Sequence, residues 1–496
     1  FIQFALPKGN QETSAQRRKG RRSAERRGNF IDLKTVAAAL FSRSFSLAAL
    51  ADFLKTKNRK AVTEDHGKRL TYAYLDYAMQ DTQVTWECYE ALQAEFARHA
   101  LQSTTMGKVL SEASLGKAYL KDMGIKPFLK CQPDFPPALF GQIMSSYFGG
   151  RSEVHIRPQI AQVLYCDFLS MYPTVCTLMN LWRFVIANGV DWHDSTTETQ
   201  DLLERISPED LQNPETWLQL HTIVTLRPEA LVLPVRAKYD DVSPNIGVNY
   251  LTTEFPVWYT LADVIASKFL TGKTPIIDQA ITFTSREIQS GLKPIKIAGD
   301  EDYAVSPRKD DFYCRLINLR NDVKSTIRDA PAADKDVLEA TQLALKLLAN
   351  STSYGIFMEL IASAAVDHER SWFGIDGQPR DLDLAASEKV EDPGPFFHPL
   401  LGTLITGAAR LMLALAEVRA NAQGLDWVFC DTDSMAIAKP EAMEISEFFE
   451  KAKAVCAWFD PLNPYEKKGE LFKIEDANRK PKTEELEPLY AFCISS

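Results

Sequence analysis

Acidic residues directly follow two short apolar runs in the sequence. Asp167 follows the run VLYC at positions 163–166, and Asp431 and Asp433 follow the run WVFC at 427–430. Each run has the composition of a buried strand, and an ionised carboxylate at the end of such a strand is costly unless a cation pairs with it. Because no Lys or Arg lies close by in either stretch, a divalent metal is the expected partner. Carboxylates suit Mg²⁺ or Mn²⁺, and two such ions about 4 Å apart can clamp the attacking and leaving oxygens of a phosphoryl transfer.

Basic residues recur on two predicted helices and could hold the phosphates of a nucleoside triphosphate. The first helix, predicted over residues 311–328, has an apolar face at i, i+3 and i+4 spacing, with Arg320 and Lys324 each one position after an apolar residue. The second, predicted over residues 334–350, places Lys346 and Asn350 four residues apart beside its own apolar stripe. Cations on one helix face would bind a polyanion such as a triphosphate.

Each of these features has a simpler explanation when it is taken alone. An aspartate after a strand commonly caps a turn. A basic stripe is usually a solvated helix face, and the locally basic segment at residues 17–27 is best interpreted as a solvated loop. The functional prediction therefore depends on how the features combine along the chain.

Length and composition indicate a globular protein of two or three domains. The chain has 496 residues, of which 45% are hydrophobic and 25% charged. The longest apolar stretch, residues 400–418, contains Arg410, which favours a buried helix over a membrane span. The eight cysteines form no CxxC pair and no secretory pattern is present, so we expect a cytoplasmic protein with reduced thiols and no membrane partner. The net charge of -10 does not exclude nucleic acid, because carboxylates that hold metals add negative charge.

In chain order, these residues and several others resemble the motifs of family-B DNA polymerases. DFLSMYPT at 167–174 resembles motif A (D-x-x-S-L-Y-P-S), KLLANSTSYG at 346–355 resembles motif B (K-x-x-x-N-S-x-Y-G), and DTDS at 431–434 is similar to motif C. Arg320 and Lys324 resemble the R-x-x-x-K of the fingers. YFGG at 147–150 is similar to the Y-x-G-G element between exonuclease and polymerase modules, and YAMQD at 77–81 resembles the third exonuclease motif. The resemblance covers nearly the whole chain, and members of bacterial or phage type are the expected relatives.

The resemblance implies catalytic roles for the residues that match motifs A and C. Asp167 and Asp433 would be the ligands of two Mg²⁺ or Mn²⁺ ions, with the Phe168 carbonyl assisting and Asp431 acting as a weaker, supporting carboxylate. Tyr172 would pack beneath the sugar and exclude a 2'-hydroxyl.

The other motifs imply binding roles. Three basic residues would hold the triphosphate, namely Arg320, Lys324 and Lys346. Asn350 and Tyr354 would line the nascent base pair. Tyr147, Gly149 and Gly150 would contact the template strand. Tyr77 and Asp81 would be the remnant of an exonuclease site.

The sequence departs from the family pattern in several places. Motif B has one residue too many between Asn350 and Tyr354, which makes the role of Tyr354 less secure than that of Lys346. Met171 and Cys430 replace the usual Leu and Gly, and both changes are tolerable by volume. The first exonuclease motif, D-x-E, is missing, and Asp32 is expected to have a structural role instead.

The predicted fold is mixed α/β (α+β): a right-hand polymerase palm with an antiparallel sheet and helical fingers, preceded by a partial RNase H-like 3'-5' exonuclease domain. Residues 1–100 would belong to that exonuclease domain and 101–150 to a linker with the Y-x-G-G element. The palm would occupy 151–310 and 359–496, with an uninterpreted insertion at about 180–270, and the fingers 311–358. We expect a fragment that lacks the start of the exonuclease domain and the thumb.

The predicted function is template-directed addition of deoxynucleotides to the 3'-hydroxyl of a DNA primer–template, with release of pyrophosphate. Two alternatives remain open. A protein-primed or self-priming polymerase would explain the insertion after motif A, so a protein primer is one of the expected partners. A catalytically inactive DNA-binding scaffold is the other, and the two acidic strand ends argue against it.

Overall fold

The structure, a computed structural model, describes residues 31–156, 160–238, 244–364, 371–373, 379–381, 389–479 and 486–492. The basic segment at 17–27 therefore lies outside the described residues. The chain divides into two compact units, each built from separate stretches of sequence. The first unit contains Phe1–Gly124, Lys293–Ser306 and Asp322–Thr352, and the second contains Ile125–Leu292, Pro307–Asn321 and Ser353–Ser496.

The α-helices are, in chain order, α1 Leu33–Phe41, α2 Leu47–Phe53, α3 Tyr72–Arg98, α4 Glu112–Asp122, α5 Phe128–Cys131, α6 Pro137–Ser145, α7 Met171–Leu178, α8 Trp182–Val185, α9 Thr196–Arg205, α10 Pro214–Trp217, α11 Leu261–Thr271, α12 Phe312–Asp329, α13 Ala332–Thr352, α14 Pro399–Ala422 and α15 Ile445–Ala457. Short 3-10 helices cover Met106–Lys108, Glu209–Gln212, Ile297–Gly299, Gly355–Phe357 and Asp460–Leu462.

The strands are β1 Ser152–Val154, β2 Ile160–Phe168, β3 Val190–Asp194, β4 Thr222–Leu226, β5 Leu231–Lys238, β6 Pro244–Leu251, β7 Val257–Thr260, β8 Gln279–Ser285, β9 Ile295–Lys296, β10 Ala304–Val305, β11 Leu360–Ala364, β12 Ser371–Phe373, β13 Pro379–Asp381, β14 Lys389–Pro393, β15 Asp426–Asp431, β16 Ser434–Ala438, β17 Phe472–Asp476, β18 Asn478–Arg479, β19 Leu486–Glu487 and β20 Leu489–Phe492. All of the described strand pairs are antiparallel.

Helices dominate the described part of the first unit. Helix α1 begins after Asp32, whose carboxylate accepts hydrogen bonds from the Lys34 amide at 3.2 Å and the Thr35 hydroxyl at 2.5 Å. This is the arrangement of a helix N-cap, so the structural role predicted for Asp32 is confirmed. Among the described residues, Ile31 and Asp32 lead directly into α1 without a preceding strand. The long helix α3 buries Val84, Cys88 and Leu92 at i, i+4 and i+8 spacing.

The second unit is organised around a six-stranded sheet. The strand order is β1-β15-β16-β2-β17, and β20 also pairs with β2. Helix α14 has almost every residue buried up to Ala416. It is long and apolar enough to cross a membrane, but its apolar stretch is 100% buried inside the protein, as predicted for residues 400–418.

A second sheet fills the stretch that had no interpretation in the sequence. Strands β3, β8, β4 and β7 pair in that order, and β5 pairs with β6 as a separate two-stranded ribbon. Helix α11 follows β7 directly, starting at a capping box in which Thr260 and Asp263 bond each other's backbone amides. The described residues of the 180–270 stretch therefore form mostly helices and strands within the second unit.

Predictions from local periodicity agree with the structure. The helices predicted over 311–328 and 334–350 are α12 and α13, and the apolar run at 427–430 lies in β15, which forms a hairpin with β16. The mixed fold with an antiparallel sheet is confirmed. The assignment of palm, fingers and exonuclease domains stays a prediction.

Candidate active site

Three adjacent strands of the main sheet bring the predicted catalytic carboxylates together at one end of the strands. Asp167 lies near the end of β2 and is paired in register with Ser434 at the start of β16, while Ser434 is also paired with Asp431 at the end of β15. The Phe168 amide donates to the Asp433 carbonyl at 2.9 Å. Residues more than 260 positions apart in sequence thus meet at the β15–β16 turn because strand register places them there.

The turn between β15 and β16 has an unusual backbone. Thr432 has a φ of 59°, in the left-handed region that β-branched residues rarely adopt. The Asp433 amide donates to the Asp431 carbonyl at 2.6 Å, which closes the turn. The turn therefore has one acidic residue on each side of Thr432.

Burial sets the electrostatics of Asp433. Desolvation raises the pKa of its carboxyl, a backbone hydrogen bond opposes that shift, and the negative charge of Asp431 adds to it. A charge held in such surroundings is stabilised by a nearby cation. The observation favours metal binding at this position.

The Y-x-G-G element lies against the same turn. A Cβ atom added at Gly150 would lie 3.1 Å from the Thr432 hydroxyl oxygen and 3.2 Å from the Tyr172 hydroxyl oxygen. Gly149, with a φ of 88°, supplies the bend that glycine adopts without steric cost. Motifs A and C and the Y-x-G-G element therefore meet at one point in the second unit.

Three tyrosines form a wall beside this point. The rings of Tyr172 and Tyr354 lie 5.0 Å apart at an interplanar angle of 36°. The hydroxyls of Tyr354 and Tyr147 are hydrogen-bonded to each other, and burial raises the pKa of both Tyr172 and Tyr354. The extra residue in motif B does not remove Tyr354 from the site, although its role toward a base pair stays a prediction.

A buried ion pair that we did not predict anchors the Y-x-G-G element. Arg410 donates through Nε and Nη2 to the two Asp263 oxygens at 2.7 and 2.8 Å, and both side chains are 1% exposed. Its Nη1 also bonds the Gly149 carbonyl. The signal available in the sequence was an arginine inside the longest apolar stretch, which has to find an acidic partner.

The predicted phosphate-binding residues belong to both units. Arg320 lies in the second unit, where desolvation lowers the pKa of its guanidinium and its Nε has no hydrogen-bond partner among the described residues. Lys324, Lys346 and Asn350 belong to the first unit. Helix α12 begins in one unit and ends in the other. The binding roles of all four residues stay predictions.

The predicted exonuclease remnant, in the first unit, carries its own cation. Lys60 Nζ donates to the Tyr77 hydroxyl at 2.8 Å and to Asp81 Oδ2 at 2.5 Å. Burial opposes ionisation of Asp81, but the hydrogen bonds from Lys60 and Tyr77 outweigh it and lower the pKa of the carboxyl. Sequence spacing alone gave no reason to expect Lys60, because it lies 21 residues before Asp81.

The donors at the strand ends fit a magnesium-type ion. Among the described residues, no group of three or more His, Cys, Asp or Glu side chains is arranged to hold a metal. Mg²⁺ does not need such a cage, because it usually keeps several waters and is held by one or two carboxylates together with substrate phosphates. Two aspartates and the carbonyl of Phe168, all hard oxygen donors, meet that requirement.

No protein-family model matches the chain, and no curated protein matches it. Among solved structures, Phi29 DNA polymerase in an orthorhombic crystal form is 14% identical, with a TM-score of 0.43 over 82% of this chain and 61% of that one. Phi29 DNA polymerase complexed with primer-template DNA and incoming nucleotide substrates is 15% identical, with a TM-score of 0.42 and the same coverage of 82% and 61%. The family B DNA polymerase from the hyperthermophilic archaeon Pyrobaculum calidifontis is 12% identical, with a TM-score of 0.35 over 92% of this chain and 45% of that one. The chain spans 61% of the length of the Phi29 structures.

Proposed function

We propose that this chain is the catalytic part of a template-directed DNA polymerase. The observation that carries the proposal is the meeting, in one unit, of the Asp167 strand end, the Asp431–Asp433 turn, the Tyr172–Tyr354 wall and Gly150. An inactive scaffold would have no use for a desolvated carboxylate next to a second acidic residue. The proposed reaction is in-line attack of a primer 3'-hydroxyl on the α-phosphorus of a deoxynucleoside triphosphate, with release of pyrophosphate.

Asp167, Asp433 and the Phe168 carbonyl would hold two Mg²⁺ or Mn²⁺ ions, with Asp431 in support. When bound, such ions lower the pKa of the attacking hydroxyl and stabilise the charge that develops on the phosphates. The protein's own contribution is to fix the donors: the Phe168 amide at the end of β2 donates to the carbonyl of Asp433, just before β16, and this bond holds the two backbone segments together.

The remaining residues would position the nucleotide and the template. Tyr172 is half-buried and lies beside the acidic turn formed by Asp431, Thr432 and Asp433, so its ring can exclude a ribose 2'-hydroxyl by steric contact. Arg320, Lys324 and Lys346 would bind the triphosphate by charge-assisted hydrogen bonds, and Asn350 with Tyr354 would line the base pair. Tyr147, Gly149 and Gly150 would follow the template backbone.

Primer extension tests the proposal. Asp167→Asn and Asp433→Asn each remove a metal ligand at nearly constant volume, and both should abolish extension of a labelled primer in Mg²⁺. Asp426→Asn is the matched control, because Asp426 begins the same strand that ends at Asp431 and should tolerate the change. A circular-dichroism melt verifies that each variant folds. Extension at the wild-type rate by a folded Asp433→Asn protein would overturn the proposal.

A further inference from the structure

Arg151, which follows the Y-x-G-G element directly, is nearly fully buried and has an elaborate set of partners. Its Nε donates to Glu153 Oε1 at 2.7 Å and its Nη2 to Glu417 Oε2 at 2.8 Å, with 1% of the arginine side chain exposed. The guanidinium carbon lies 5.0 Å from the centre of the Trp427 ring. One side chain thereby links β1, α14 and β15.

The backbone of Arg151 reaches the acidic turn. Its carbonyl accepts a hydrogen bond from the Thr432 amide at 2.7 Å, and the next residue, Ser152, is paired in register with Asp431. The left-handed φ of 59° at Thr432 is a conformation that the surrounding structure has to maintain. The Arg151 carbonyl is one of the contacts that does so.

Stability alone does not explain such a cluster. A buried guanidinium between two carboxylates contributes little net stabilisation, since well-packed apolar residues of similar volume often do as well or better. The geometry instead fixes the position of β1 relative to α14 and β15. Residues that orient metal ligands without touching the metal commonly change metal affinity or activity by 10- to 100-fold when they are replaced.

We propose that Arg151 is a positioning residue for the acidic turn: its ion cluster holds β1 so that the Arg151 carbonyl keeps Thr432, and with it Asp431 and Asp433, in the conformation that binds the divalent ions. The inference rests on the proposed polymerase function. It assigns to Glu153, Glu417 and Trp427 the supporting role of fixing the guanidinium.

The test neutralises the cluster as a whole. Replacing Arg151 alone would leave Glu153 and Glu417 side by side, so the informative variant combines Arg151→Met, Glu153→Gln and Glu417→Gln. Glutamine at 153 can still accept the hydrogen bond that the Val248 amide donates at 2.7 Å. Arg151→Lys is the second variant, because lysine retains the charge but not the fork that reaches both glutamates.

A matched control exists in the same unit. Arg419 donates to Glu209 at 2.8 Å and lies 4.8 Å from the Trp458 ring, but it is 22% exposed, and neither of these partners belongs to the acidic turn. The double variant Arg419→Met with Glu209→Gln therefore removes a similar arginine–glutamate–tryptophan cluster that has one glutamate fewer. It should leave metal binding and extension unchanged.

Two measurements separate positioning from mere stability. Mn²⁺ affinity of the protein without DNA, followed by electron paramagnetic resonance of the free ion, should weaken by about tenfold or more in the neutral triple variant and by less in Arg151→Lys. The Mg²⁺ concentration for half-maximal primer extension should rise in parallel. The melting temperature should change no more than in the Arg419 control.

The outcomes test the positioning role of Arg151 and the proposed polymerase function separately. Wild-type Mn²⁺ affinity in a folded triple variant overturns the positioning role, and so does wild-type affinity in Arg151→Lys if the triple variant does not fold. A wild-type protein that binds Mn²⁺ but never extends a primer overturns the proposed polymerase function, while the Mn²⁺ comparison between variants still decides the role of Arg151.

Discussion

Two acidic sites, Asp81 and Asp433, each with a neighbouring tyrosine, differ in the electrostatic environment of the carboxylate. In the first unit, Lys60 lies 2.5 Å from Asp81 and the pKa of that carboxyl is lowered. In the second unit, burial and the charge of Asp431 raise the pKa of Asp433. Asp81 therefore has the ammonium group of Lys60 as its partner. The ionised carboxylate of Asp433 is disfavoured by its surroundings, and a divalent ion would stabilise it. The contrast supports the proposal that metal-dependent chemistry belongs to the second unit.

The largest expected effect is on catalysis. Asp433→Asn should slow primer extension by about three orders of magnitude, because a metal ligand contributes several kcal/mol to the transition state and each 1.36 kcal/mol is tenfold in rate. Asp81→Asn should leave the rate within about twofold of the wild type. Single-turnover extension at saturating nucleotide measures both. Equal losses in the two variants would erase the distinction between the sites.

A third carboxylate, Asp263, is fully buried and has the guanidinium of Arg410 as its cationic partner. Arg410→Met should lower the free energy of unfolding by about 3–5 kcal/mol, since it leaves Asp263 buried without its partner. Arg227→Met is the control, because Arg227 also bonds both carboxylate oxygens of its partner Asp278, through Nη1 alone, but is 56% exposed. That control should cost less than about 1 kcal/mol in urea unfolding. A similar loss in both variants would mean that burial does not set the cost.

Tyr172 and Tyr77 are expected to differ in their effect on the choice between ribonucleotides and deoxynucleotides. Tyr172→Ala should increase ribonucleotide relative to deoxynucleotide incorporation by about 10- to 100-fold, because a steric contact with the 2'-hydroxyl is removed. Tyr77→Ala, at the other acidic site, should leave that ratio unchanged. Competition between the two nucleotides on one template gives the ratio. A wild-type protein that already accepts both sugars equally would contradict the steric role of Tyr172.

The smallest expected effects are on stability, and they have opposite signs. The pKa of Asp433 is higher in the folded protein, so its ionisation is a cost that is present at neutral pH and disappears as pH falls through the folded value. Without metal, Asp433→Asn should therefore stabilise the protein at pH 7, by less than about 1 kcal/mol because the carboxyl is only partly buried and solvent screens its charge. The pKa of Asp81 is lower in the folded protein, so its contribution is present above about pH 4 and lost as pH falls further.

Asp81→Asn should accordingly destabilise the protein at pH 7 by no more than about 1 kcal/mol, since the pair is partly exposed. Urea unfolding of both variants at pH 7 and again near pH 4 tests the prediction. The gain in Asp433→Asn should shrink on acidification, and the loss in Asp81→Asn should begin to shrink as well. Stabilisation by both substitutions, or by neither, would refute the electrostatic difference between the sites.

The sequence by itself determined the local elements and the acidic positions of the site. Periodicity predicted α12 and α13, and the apolar runs at 163–166 and 427–430 predicted buried strands, because the pattern of apolar residues reflects which part of a helix or strand is buried. The same apolar runs identified Asp167, Asp431 and Asp433 as strand ends. These are short-range properties, so a single sequence carries them.

Tertiary structure decided which charges have partners and which motifs meet. Lys60 reaches Asp81 across 21 residues, Arg410 reaches Asp263 across 147, and Arg151 reaches Glu417 across 266. No sequence pattern encodes such pairs, because loop lengths and strand register bring them together only after the chain has folded. The pKa shifts that separate the two acidic sites follow from these long-range contacts and from burial, and only the folded structure specifies them.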